Sequence, residues 1–339
     1  MRTISLPSLH HSYALDDADF VKWYCPNEWT YCNKCDSPFY YSFLRLALEQ
    51  ETADKLFYFV VGTHDGTDIK RMLAQPWGRN PRLHVAGWEV SEDNFVKAQQ
   101  HLAAHSNVRL TNRGVSNVTG VMTAMVGGPK TNVSETSGLI DCGRPGATAF
   151  CAIRFAVQMR VESWAHVVRQ RSIREVTYAL VDVEGHEEHV VRGMQLEQHA
   201  AAFPMFQIEL GGTWSDFRHA GVWSEADAAS YLEALGYRLY LIGAIHRKGH
   251  FQWKQPELNL PALLRVRPSH FTVVKCLKWL NQKPGSGVQG NLLAVHSQVL
   301  SRKPWLSEFI ENATRRALPE NATRRALPQQ HIPPSPSPL

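Results

Sequence analysis

Residues 178–194 read YALVDVEGHEEHVVRGM. Tyr178 to Val181 form a short apolar run, the mark of a strand buried on both faces, and a helical pattern follows from Glu187 through Val190, Val191 and Met194. Between the two stand Asp182, Glu184, Gly185 and His186, with Glu187 opening the helix. Three carboxylates therefore fall where a strand gives way to a helix. In open α/β sheets that carboxyl edge is where ligands bind.

The same alternation extends outward in both directions. LFYFVV (56–61) and RLHVAGWE (82–89) read as strands, each followed by apolar residues at helical spacing: Ile69, Met72 and Leu73, then Phe95, Ala98 and Leu102. NVRLTNRGVS (107–116) is a third strand, VESWAHVVRQ a helix leading to the fourth strand at TYALVDV, and FPMFQIEL (203–210) a fifth strand ending near Glu209. ADAASYLEALGY is a helix stopped by Gly236, YRLYLIG a sixth strand, and NLLAVHS (291–297) closes the series. Strands alternating with helices predict βαβ units and a mainly parallel sheet with helices on both faces. Residues 117–157, rich in Gly, Thr and Ser, interrupt the alternation as turns or a hairpin.

The ends differ from the middle. Residues 1–50 carry an aromatic, Cys-bearing lead-in read as a cap or substrate-side extension, and 51–300 form the catalytic-type domain. Cys32-Asn33-Lys34-Cys35, with Cys25 nearby, has the spacing of a zinc knuckle, but a structural site takes four ligands and the sequence shows no second pair. Residues 301–339 read as a disordered tail, because ENATRRALP occurs twice in succession (311–319 and 320–328) and QQHIPPSPSPL has little to bury.

A chain of 339 residues with 44% apolar content builds a substantial core, and a net charge of +5 with interspersed signs speaks against a nucleic-acid partner. No run approaches the roughly 18 apolar residues of a membrane span, and the first residues lack the apolar heart of a signal peptide. A soluble, cytoplasmic protein is expected. Six Cys in such a chain do not make a disulfide scaffold, and the glycosylation-type triplets at Asn117, Asn132, Asn312 and Asn321 then read as chance matches.

The turn after the first strand, Gly62-Thr63-His64-Asp65-Gly66-Thr67, lets a backbone approach a ligand closely. Glu89 ends the next strand at about the 20-residue separation from which a carboxylate accepts hydrogen bonds from ribose hydroxyls. NAD would be served by the same spacing, although its enzymes carry Gly-x-Gly-x-x-Gly where this turn has Gly-x-x-x-Gly.

The run Leu180-Val181-Asp182-Val183-Glu184-Gly185-His186-Glu187, then Val190-Val191-Arg192-Gly193, resembles the signature of the FkbM family of S-adenosylmethionine-dependent methyltransferases. The resemblance extends over about 55–297, including WEVSEDNF (88–95) and NVRLTNRGVSN, which is similar to the family's third-strand segment. It implies a Rossmann-like, seven-stranded methyltransferase sheet and S-adenosyl-L-methionine as cofactor. Gly62 through Thr67, Glu89, Asn117 and Asp182 would hold the cofactor. Three departures accompany it: Val60 stands where the family commonly has an acid, His64 where it has Asn, and Val90 where it has Pro. Asp65, one turn away, is a candidate substitute for the missing acid.

Methyl transfer to a hydroxyl needs alignment and a proton acceptor. Asp182, Glu184 and His186 are the candidate bases by location, and Glu184, Glu187 and Glu209 the candidate acceptor contacts. Glu187 in a first helical turn equally suits a helix cap, and clustered acids are also a setting for a divalent cation, for which no clear His partner is visible. The reading is O-methylation of a small-molecule or saccharide hydroxyl, with a noncatalytic binding protein on the same sheet as the alternative.

Overall fold

The computed structural model describes residues 36–127, 154–183, 186–210, 223–245, 260–273 and 290–317. The chain begins with α1 (Asp36–Gln50), β1 (Leu56–Val61), α2 (Thr67–Leu73), β2 (Leu83–Trp88), α3 (Glu92–Leu102) and β3 (Val108–Thr111). An insertion follows, made of β4 (Gly114–Val115), β5 (Gly120–Gly127) and β6 (Arg154–Glu162). The main alternation resumes with α4 (Trp164–Gln170), β7 (Tyr178–Val181), α5 (Glu187–Gly193), α6 (Leu196–His199), β8 (Met205–Leu210), α7 (Glu225–Ala234) and β9 (Tyr237–Ile245). Last come β10 (Leu260–Val266), α8 (Pro268–Val273), β11 (Gly290–His296), α9 (Ser297–Arg302) and α10 (Pro304–Ala317).

The main sheet runs β10-β9-β11-β8-β7-β1-β2-β3. β3, β2, β1, β7 and β8 are mutually parallel, whereas β11 is antiparallel to both of its neighbours and β10 is antiparallel to β9. This is the Rossmann-like α/β arrangement expected, with eight strands among the described residues instead of seven. The added edge strand, Leu260–Val266, is apolar enough to pair, with Leu263, Leu264 and Val266 buried. It went unread because the preceding HRKGHFQWKQPELNLP masks its start with polar and Pro residues.

Helices cover both faces. On one, Trp164, Val190, Val191, Leu196 and Leu232 pack over Phe59, Trp88, Val181 and Ile208. On the other, Phe39, Phe43, Ile69, Met72, Leu306 and Ile310 pack over Tyr58, Val85, Tyr178 and Leu293. The second layer corrects both ends of the sequence reading. Residues 36–50 are no lead-in but a helix whose Phe39, Tyr40, Phe43, Leu44 and Ala47 are buried in this core. Arg82 closes its carboxyl end by donating to the carbonyls of Leu48, Glu51 and Ala53.

The disorder expected from residue 301 does not hold over 301–317, because α10 continues to Ala317 and takes in most of the first repeat copy. Leu306, Ile310 and Ala313 recur at helical spacing and are buried. The helix is moored by Lys303, whose ammonium lies 3.0 Å from Glu51 and 2.6 Å from Glu175, and by the Trp305 indole, which donates to Glu51 at 3.1 Å. The second repeat copy and the Pro-rich end lie outside the described residues, as do residues 1–35 and all six cysteines.

The insertion read at 117–157 contains the antiparallel pair β5–β6, with β4 parallel to β6. Val161 packs with Val90, Met122 and Met159, which sets this small sheet beside the residue following Glu89. Leu306→Ala and Ile310→Ala should each cost about 2–4 kcal/mol, the loss typical of a buried Leu or Ile. Urea unfolding measures it, and a change within error of zero would return the segment to a passive tail.

Candidate functional site

Sheet register alone assembles the site. Thr111, Trp88, Val61, Val181 and Ile208 lie opposite one another across the five parallel strands. One residue further along each strand stand Asn112, Glu89, Gly62, Asp182 and Glu209. With strands about 4.8 Å apart, the backbones of Asp182 and Glu209 are about 5 Å apart, and those of Glu89 and Asp182 about 10 Å. The chain winds from β1 to β2 and β3 on one side and to β7 and β8 on the other, so Gly62 and Asp182 flank the switch point of the sheet.

Gly62 and Asp182 touch. Asp182 N donates to Val61 O at 3.1 Å, and a Cβ on Gly62 would lie 1.6 Å from the Asp182 carbonyl oxygen. Gly62 also has φ +83°, which disfavours any side chain. At Gly66 (φ +78°) the neighbours of such a Cβ would be Ala98 and Leu102 of α3, at 3.0–3.1 Å. Both glycines are thus required by the close approach of other protein segments. Val60, the position of the family's acid, is buried in the apolar cluster with Ile69 and Ile242.

The turn spends its amides internally. Gly62 N and Thr63 N donate to Trp88 O at 3.0 and 3.2 Å, and Gly66 N donates to Thr63 O at 2.9 Å. His64 N donates to Glu89 Oε2 at 2.7 Å, and Thr67 N donates to Asp65 Oδ1 at 2.9 Å. Asp65 therefore caps the start of α2. Burial works to raise its pKa, but the Thr67 hydrogen bonds and the His64 and His101 imidazoles outweigh that and hold it below the usual aspartate range. His64 adopts φ 50°, and although its side chain is 41% exposed, its Nε2 is shielded and has no hydrogen-bond partner.

Glu89 is 6% exposed. Its Oε1 accepts from Ser91 N at 2.8 Å while Oε2 holds His64 N, so one carboxylate joins the turns after β1 and β2. Asn112 completes the corner by donating to Glu89 O at 3.0 Å. Asn117, expected at the cofactor, contacts Ser116 and lies beside Gly193 on the α5 side, whereas Asn112, absent from the sequence expectations, stands in the row. An Asn directly after the third apolar run was the available signal.

The signature segment closes on itself. Val183 N donates to Glu187 Oε1 at 3.1 Å, so Glu187, 2% exposed, braces the loop rather than simply facing a ligand. His186 is also buried, its Nε2 lies 3.0 Å from Ser116 Oγ, and its ring stacks on His189 at 4.3 Å. Ser116 carried no sequence signal, since its contact is long-range. Glu188 accepts from Trp223 N at 2.8 Å and pairs with Arg192 at 2.7 Å. Glu209 is half-buried in β8 opposite Asn291 of β11. Glu184 and Gly185 lie outside the described residues. Among the described residues no three His, Cys, Asp or Glu side chains gather as metal ligands, and no helix is long and apolar enough to cross a membrane.

No family model and no curated protein matches the chain. Among solved structures it is similar to a precorrin-6y C5,15-methyltransferase from Geobacter metallireducens GS-15, with 10% identity over 80% of this chain and 96% of that one and a TM-score of 0.34. A SAM dependent methyltransferase from Aquifex aeolicus gives 11% identity over 68% and 93% at TM-score 0.30. The human methyltransferase 10 domain containing protein gives 9% identity over 83% and 98% at TM-score 0.34. At these levels the fold stands on the strand order itself.

Burial raises the Glu89 pKa, only partly offset by the amides of Ser91 and His64. With the folded value raised, the group's contribution to stability is complete below the ordinary glutamate pKa and is lost as pH rises through the folded one. Wild type should therefore lose stability relative to Glu89→Gln over that window. The cost of turning a side-chain amide toward two N–H donors offsets the variant by a constant at every pH. Urea unfolding of both proteins from about pH 4 to 7 reads the slope, and parallel curves would show that Glu89 does not titrate there.

Proposed function

We propose that the chain is an S-adenosylmethionine-dependent methyltransferase of the FkbM type that methylates a hydroxyl oxygen of a small molecule or saccharide. The observation that supports it is the row Glu89, Gly62 and Asp182 at the switch point of the sheet. The residues present fit that cofactor. Each Glu89 oxygen accepts one backbone amide and retains acceptor capacity for a ribose hydroxyl. His64 Nε2, shielded and unpartnered, suits a polar group of the methionine end.

When bound, the cofactor supplies an already activated methyl group. Glu89 holds the ribose. The 62–67 turn contributes carbonyl oxygens and the His64 ring, because the amides of Gly62, Thr63, His64, Gly66 and Thr67 are committed to Trp88, Glu89, Thr63 and Asp65. Asp182 accepts the proton of the acceptor hydroxyl, since it projects from the end of β7 beside the turn, whereas His186 is buried against Ser116. Glu209, one strand away, orients the acceptor together with Glu184, and Glu187 keeps the Asp182–Val183 corner in place.

A noncatalytic binding protein is the second reading, favoured by Val60 lying in the core where the family carries its acid. Isothermal titration with S-adenosylmethionine and its demethylated product tests the cofactor, and absence of heat with both defeats it. Glu89→Ala should lose about 1.5–3 kcal/mol of binding, the worth of hydrogen bonds to a charged group. Asp182→Asn should bind as wild type does but transfer methyl groups about 100- to 10,000-fold more slowly. Mass spectrometry after incubating methyl-labelled cofactor with pooled metabolite and glycan extracts supplies the turnover assay. Binding without any labelled product selects the noncatalytic reading.

A further inference from the structure

The β3 edge of the sheet carries three arginines around one buried acid. Glu162, at the end of β6, is 4% exposed, and both of its oxygens are engaged: Oε1 accepts from the Trp88 indole at 2.6 Å, and Oε2 lies 3.1 Å from Arg113 Nη1. Arg109 lies opposite Ala86 in the β2–β3 register, and Ala86 belongs to the same face as Trp88, so Arg109 leaves the edge strand on that face. Trp164 of α4 packs on Trp88 with ring centroids 5.7 Å apart. Arg171 lies about two helical turns beyond Trp164, on the same stripe of the helix.

Register, the Glu162–Arg113 contact and the α4 stripe bring the three arginines to one side of the sheet, and Arg171 feels the charge of the other two. Burial lowers the Arg171 pKa, repulsion from Arg109 and Arg113 lowers it further, and among the described residues Glu162 is the carboxylate acting against this. Arginine does not shed its proton in proteins, so the repulsion persists until an anion offsets it. Glu162 compensates one charge, and its hydrogen bonds go to Trp88 and Arg113. Two positive charges remain, one on an exposed strand residue and one on a half-buried helix end.

We infer that Arg109, Arg113 and Arg171 form a binding site for a phosphoryl dianion. Guanidinium forks pair with phosphate oxygens through parallel charge-assisted hydrogen bonds, and a doubly charged group matches the uncompensated pair. The site is anchored through Glu162 to Trp88, the residue before Glu89, so a ligand held there lies on the β3 side of the site row. It is independent of the methyl-transfer reading.

Isothermal titration of the full chain with inorganic phosphate, at ionic strength held constant with potassium chloride, tests the site. Saturable binding is expected. Arg109→Ala and the Arg109→Ala/Arg171→Ala pair should each weaken it by about tenfold or more, the loss expected of a charge-assisted hydrogen bond. Arg71→Ala, on the exposed face of α2, should leave it unchanged. Arg113 is kept because it holds Glu162, and Arg109, exposed on an edge strand, can be replaced without disturbing the core. Phenyl phosphate in a parallel titration distinguishes the source: tighter binding than phosphate assigns the site to an esterified phosphoryl group, and weaker binding to free phosphate. No heat beyond the chloride control, or equal loss in Arg71→Ala, would overturn the site in favour of a diffuse basic surface.

Discussion

A buried carboxylate that accepts two backbone amides is the constraint on which the carboxyl edge of this sheet depends. Glu89 takes the His64 amide from one turn and the Ser91 amide from another, and Asn112 fastens its own carbonyl. Amides buried without acceptors are costly, so the two turns keep their positions as long as this side chain does. Its burial raises the energy of the charged form, while the two amides partly repay it. The same carboxylate is therefore both a joint in the fold and the acceptor with capacity left for a ligand.

On the other side of β1, the contact is between backbones. The Asp182 carbonyl occupies the space of a missing side chain at Gly62, and Val183 is tied to α5 by Glu187. Chain geometry thereby sets Asp182 beside the first turn. Trp88 links the sheet to the insertion, because its indole ends on Glu162, whose other oxygen meets Arg113. The Glu89 corner, the Asp182 corner and the insertion thus share the three-strand span β2-β1-β7.

Much of this architecture was legible in the sequence because it rests on short-range pattern. The runs at β1, β2, β7 and β8 are nearly unbroken apolar segments, and their endings named Gly62, Glu89, Asp182 and Glu209 correctly as neighbours on one edge. What escaped was decided by distant partners. The worth of α1 and α10 lies in meeting the same core from opposite ends of the chain, which no local window records: Phe39 and Phe309 approach to 5.5 Å between ring centroids. The crowding at the glycines was hidden for the same reason, since the atoms that meet them come from Asp182 and α3. Asn112 and Asn117 look alike in a turn-rich stretch, and only the register of β3 separates them.

The doubled segment at the carboxyl end bears on how this chain can vary. α10 draws its last residues, 311–317, from the first copy, fixed there by covalent continuity with Leu306 and Ile310. The copy beginning at Glu320 has the same nine letters. Excision of either copy by replication slippage would leave one and the same polypeptide, with residues 304–317 of α10 unaltered. Alleles differing in the number of these units would therefore share one α10 sequence, with Leu306, Ile310 and Ala313 in place.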